Sequence, residues 1–141
     1  HQLEHPVFEA QTNVAPCAKS LHEISETLNG SDKVTILAGW GARKGRALVK
    51  QLAEKLNAPV VTSLKGKAVL AHDDEFLAGG TGFLGTKGGV HALEECEVLL
   101  MLGTDFPYRQ FYPKHAKIIQ IDARLANIGR RSHVTLAPWG M

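Results

Sequence analysis

A chain of 141 residues has the usual length of one domain, and its 44% hydrophobic content is enough to fill one core. A formal net charge of +2 is too small to mark a nucleic-acid binder, which carries a clustered basic face. No apolar run approaches the roughly 20 residues that cross a bilayer, and the N-terminus lacks the apolar core of a signal peptide, so a soluble, cytoplasmic protein without a membrane segment is expected.

Residues 1–16, HQLEHPVFEAQTNVAP, have no regular period and contain two prolines. They read as an interdomain linker ahead of a domain at 17–141, and a linker implies a longer parent polypeptide. CAKSLHEISETLN (17–29) places Leu21, Ile24 and Leu28 at helical spacing, with Gly30 as its stop. VTILAG (34–39) is an apolar run of the kind buried on both faces of a parallel sheet. A glycine loop follows at Gly39, Gly41 and Gly45, and then an amphipathic helix ending near Asn57. APVVTSL (58–64) predicts a second strand with Pro59 at its start, where a missing N–H is tolerated. Residues 68–80 read as a short turn or helix and then an irregular segment. A second glycine loop, Thr81-Gly82-Phe83-Leu84-Gly85, leads into a helix over about 88–96. Strands are predicted at 97–102, 117–121 and 133–136. Strands alternating with helices give an α/β fold: a doubly wound, Rossmann-like domain with about six parallel strands and helices on both faces.

Ligands of such sheets bind outside the carboxyl ends of the strands. Candidate cofactor-binding residues there are Gly39 and Gly41, whose loop N–H groups could attract a phosphate, and Gly103, Thr104, Asp105, Phe106 and Pro107 after the strand at 97–102. Asp122, at the end of the next strand, can accept hydrogen bonds from ribose hydroxyls. Gly39-Trp-Gly41-Ala-Arg-Lys-Gly45 is one residue longer than the common dinucleotide fingerprint, and the second strand ends in Thr62, Ser63 and Leu64 rather than an acid. An ordinary NAD- or ADP-ribose-binding domain is therefore disfavoured. Gly39 and Gly41 are as well explained by a tight strand-to-helix turn alone, and Lys65 and Lys67 are as well explained by solvent as by a pyrophosphate. Cys17 and Cys96 have no CxxC spacing, and the 7 histidines do not cluster, so no metal site is expected in this chain.

GTDFPYRQFYP followed by AKIIQID and NIG, together with ILAGWGA, SLKGK and GGTGFLGTKGG, resembles the central domain of thiamine-diphosphate-dependent pyruvate oxidases and quinone-linked pyruvate dehydrogenases. The resemblance runs from about Val34 to Leu136. It implies that this domain binds FAD, with Thr81, Gly82, Phe83 and Leu84 running beside the flavin, the Gly103–Pro107 stretch as a second flavin contact, and Asp122 near the adenosine ribose. It further implies that thiamine diphosphate and Mg²⁺ sit in flanking domains of a homo-oligomer, a tetramer, that oxidatively decarboxylates pyruvate. The family's GDG metal motif is absent from this chain. No catalytic residue is assigned, and the chain alone is expected to be a cofactor-binding module that is inactive without its neighbours. The alternative is a structural middle domain, without flavin, of a non-redox thiamine-diphosphate-dependent decarboxylase or transferase.

Overall fold

The computed structural model describes residues 17–63, 66, 69–71, 73–80, 86–104 and 112–122. They form a parallel sheet of five strands: β1 (Val34–Ala38), β2 (Val60–Thr62), β3 (Leu77–Gly80), β4 (Val98–Leu102) and β5 (Lys117–Ile121), in the order β3-β2-β1-β4-β5. The expected sixth strand, 133–136, lies outside the described residues.

The two central strands are buried at every position and, Thr35 apart, apolar, which is what a strand covered on both faces requires. Alternate side chains feed two cores. Ile36, Ala38, Val60, Leu100 and Ile119 pack with Ile24 and Leu28 of α1 (Ala18–Asn29) and with Val49 and Ala53 of α2 (Arg46–Leu56). Leu37, Val61, Leu99, Met101 and Ile118 pack with Leu93 of α3 (Lys87–Glu95) and with Tyr112. Helices thus cover both faces. The buried Thr35 hydroxyl donates to the Ala92 carbonyl at 2.8 Å and ties β1 to α3. Burying Cys96 against α3 pushes its thiol up to about 11, so it stays protonated and inert at neutral pH.

Two stretches differ from the sequence-based expectation. Residues Trp40–Gly45 form a 3₁₀ helix rather than an open loop. The segment LAGG, read as irregular, is the edge strand β3. Its small side chains carry no strand pattern, and pairing supplies what propensity lacks. The Val60 N–H donates to the Phe76 carbonyl at 2.7 Å, and the register then shifts between Val60 and Val61. Gly79 adopts φ +117°, where a Cβ would collide with the Thr86 side chain. That Thr86 hydroxyl caps α3 by accepting the Gly89 N–H at 3.1 Å and donates to the Ala78 carbonyl at 3.3 Å.

Candidate cofactor site at the sheet switch point

β1 feeds α2 and β2 to one side, while β4 and β5 lie on the other, so the strand order reverses between β1 and β4. In open α/β sheets the ligand crevice opens there, beyond the carboxyl ends of the strands. Gly39 follows β1, and Gly103 follows β4.

The two loops interlock through their main chains. The Gly39 N–H donates to the Leu102 carbonyl at 2.9 Å, extending the ladder one step past β1. The Gly41 N–H donates to the Gly103 carbonyl at 2.9 Å, and the Ala42 N–H to the Gly39 carbonyl at 3.1 Å. No side chain fits between them: a Cβ on Gly41 would lie 2.9 Å from the Gly103 Cα, and one on Gly39 would strike the Thr104 Cβ. Gly103 itself has φ +59°, and its Cβ would come within 2.6 Å of the Gly41 carbonyl carbon. Glycine is required here by contact and, at Gly103, by conformation as well.

These bonds bear directly on the phosphate chemistry expected of the first loop. The N–H groups of Gly39 and Gly41 already donate to carbonyls within the protein. Their demonstrated work is to seat the β4 loop. Gly66, after β2, joins the same contact, since a Cβ there would meet the Ala38 carbonyl oxygen at 2.5 Å and the Gly39 Cα at 2.9 Å. The resemblance contained Gly66 within SLKGK without giving it this role.

On the other side of the crevice, β5 contributes polar groups. Gly103 donates its N–H to the Ile121 carbonyl at 3.0 Å, and Leu102 pairs with Ile121, which puts Asp122 level with Gly103 on the adjoining strand. Asp122 is 5% exposed, Thr104 5% and Gln120 3%; the other buried polar residues among those described are Thr35 on β1 and Thr62 on β2. The Gln120 amide donates to the Thr104 carbonyl at 3.4 Å and holds that loop from below. Gln120 was not singled out from the sequence, although one polar residue inside the run KIIQI was a usable signal. Of the expected site residues, the structure brings together Gly39, Gly41, Gly103 and Thr104, with Asp122 beside them. Thr81, Gly82, Phe83, Leu84, Asp105, Phe106 and Pro107 lie outside the described residues. Tyr112 is buried in the α3-side core. Among the described residues, no three His, Cys, Asp or Glu side chains gather to hold a metal ion.

A parallel sheet in this order, with glycine turns meeting at its switch point, is a Rossmann-like α/β domain. The chain belongs to the family described as thiamine pyrophosphate enzyme, central domain, whose model matches residues 21–140. It is 45% identical over 127 residues to an uncharacterized 42.6 kDa protein in the isoamylase 3'region of Pseudomonas amyloderamosa, covering 90% of this chain and 32% of that protein. It is 38% identical over 130 residues to the putative thiamine pyrophosphate-containing protein YdaP of Bacillus subtilis (strain 168), covering 92% of this chain and 22% of the relative. Over 107 residues it is 36% identical to the probable acetolactate synthase large subunit of Methanocaldococcus jannaschii, covering 71% and 18%. The chain thus spans a third or less of these relatives' length, and none of the three is named as a pyruvate oxidase.

Proposed function

We propose that this domain holds FAD for a thiamine-diphosphate-dependent enzyme that oxidatively decarboxylates pyruvate, as pyruvate oxidases and pyruvate:quinone dehydrogenases do. The observation that carries the reading is the buried Asp122 carboxyl level with Gly103 at the carboxyl ends of adjacent strands. An acid there suits ribose hydroxyls, and it stands on β5 instead of at the end of β2, where NAD-binding domains carry theirs. The described residues fit an adenosine half better than a diphosphate, because the N–H groups of the first glycine loop are bonded within the protein. Phosphate and ring contacts then fall to Thr81–Leu84 and Asp105–Pro107. When bound, the flavin supplies the redox chemistry, and this chain supplies position and electrostatics. Thiamine diphosphate and Mg²⁺ belong to flanking domains of a cytoplasmic homo-oligomer in this reading.

A second reading, a flavin-free structural domain in a non-redox enzyme of the same family, has its own support. The loops after β1 and β4 bond to one another's main chain without any ligand, and another relative, 34% identical, is named a sulfoacetaldehyde acetyltransferase. A visible absorption spectrum of the purified full-length enzyme separates the two. The first reading expects bound flavin that bleaches when pyruvate, thiamine diphosphate and Mg²⁺ are added without oxygen. A colourless, fully active protein establishes the second.

A further inference from the structure

The 3₁₀ helix Trp40–Gly45 begins where β1 ends, at the switch point, and its tight winding sorts its side chains onto three edges. Gly41 turns one edge to the β4 loop, where its Cβ would lie 2.9 Å from the Gly103 Cα. Ala42 turns a second into the core shared by α1 and α2. Trp40 and Arg43 share the third, one above the other, because residues three apart eclipse on a 3₁₀ helix. The Arg43 guanidinium lies 4.1 Å from the Trp40 ring centroid, and its Nη1 donates to the Trp40 carbonyl at 3.0 Å. The pair orders a long side chain in advance and leaves the other guanidinium N–H groups to a ligand.

That edge is open and its charge is unanswered. Trp40 is 55% exposed, and among the described residues no carboxylate pairs with Arg43 or with Arg46, the exposed residue three positions on. Residues 39–48 contain no acid. Nor does the charge serve α2, since cations before a helix N-terminus oppose its dipole and the first turn of α2 holds no acidic residue to offset them. Local rules are broken in this way chiefly at functional sites.

The main chain here is largely committed. The N–H groups of Gly39, Gly41 and Ala42 donate to the Leu102, Gly103 and Gly39 carbonyls, so ligand charge at this loop falls chiefly to its side chains. Asp122, across the crevice, suits ribose hydroxyls and not a phosphate. β5 and β1 flank β4, about 10 Å apart, a gap that an extended nucleoside diphosphate bridges.

We infer that Arg43 takes the diphosphate of the nucleotide whose ribose is met at Asp122, and that Trp40 is the positioning residue that holds the guanidinium there. The inference rests on the proposed nucleotide site and adds to it the residue that answers its charge.

Calorimetric titration of the flavin-free full-length enzyme with ADP and with adenosine tests it, because the two probes share a ribose and differ in the diphosphate. The parent binds ADP about tenfold or more tighter than adenosine, the scale of charge-assisted hydrogen bonding. Arg43→Gln removes most of that preference and leaves adenosine affinity in place. Arg43→Lys restores part of it, since an ammonium keeps the charge without the planar fork, and Trp40→Leu weakens ADP alone. An unchanged ADP-to-adenosine ratio in Arg43→Gln overturns the inference, and so does an equal loss for both probes, which is what a merely structural role gives. The ratio is taken within each variant and does not depend on the fraction that folds. FAD bound by Arg43→Gln at parental affinity refutes the inference and spares the flavin reading. An enzyme that takes up no flavin yet binds ADP through Arg43 does the reverse, and one that binds neither FAD nor ADP overturns both.

Discussion

The centre of the sheet and its β3 edge are held together in different ways. Between β1 and β4, five consecutive residue pairs stay in register, and the loops beyond them meet main chain to main chain at Gly39, Gly41 and Gly103. Between β2 and β3 the register of the ladder shifts, and side chains brace the β3 edge from outside it: the Thr86 hydroxyl lies under Gly79, and the Lys50 ammonium reaches from α2 to Asp74 at 2.7 Å. Side chains can turn away from an intruding atom. A backbone cannot, so the centre should tolerate substitution far less than the edge.

The largest effect is expected at Gly103. Valine there must adopt φ +59° and push its Cβ into the Gly41 and Ala42 backbone. Strain and overpacking together should cost about 3 kcal/mol or more in denaturant unfolding. A Gly103→Val protein as stable as the parent would break the comparison. At the edge, Thr86→Ala should cost about 1 kcal/mol through loss of the α3 cap. Gly79→Ala should be milder in that background than alone, since its clash is with the Thr86 side chain. Strictly additive costs, measured as a double-mutant cycle, would show that the edge is as rigid as the centre.

A smaller, pH-dependent effect belongs to Lys50 and Asp74. The hydrogen bond from Lys50 and then the Phe76 N–H hold the Asp74 carboxyl below the usual aspartate value, and Asp74 holds Lys50 above the usual lysine value. The pair's stabilisation is therefore full at neutral pH. It fades as pH falls from the ordinary aspartate range through Asp74's lowered value, and again as pH rises past the ordinary lysine value through Lys50's raised one. Lys50→Met should make the melting temperature less pH-dependent at both extremes, and identical profiles would deny the edge its ion pair. The least perturbing probe is thiol chemistry. Exposed Cys17, with its pKa lowered chiefly by the Ser20 hydroxyl, should react with a disulfide reagent in the native protein. Cys96 should react only on unfolding. Native reactivity of both would mean that the α3 face opens.

The same contrast explains what could be read from sequence. β1, β4 and β5 were legible as short apolar runs because burial on both faces writes itself into most of their positions. The strand expected at 58–64 shortened to Val60–Thr62, and LAGG was not legible, because the bonds that make it a strand come from β2, α3 and Thr86. At the site, the glycines were visible and their reason was not. Spacing suggested free N–H groups for a phosphate, but whether those groups are free depends on a loop far along the chain, at Gly103. Asp122 was readable because it ends a strand, whereas Gln120 acts through the Thr104 carbonyl, a contact no local pattern encodes.

If the β1 glycines seat the β4 loop while β5 meets the ligand, Asp122 is where affinity should be felt. Titrating FAD into the flavin-stripped full-length enzyme and its Asp122→Ala variant tests this most directly. Losing a charged hydrogen-bond partner should weaken binding by about 1.5 to 3 kcal/mol, roughly 10- to 100-fold, while the variant keeps a cooperative melt. Unchanged affinity in a folded variant would contradict the assignment of this edge to the flavin's adenosine half.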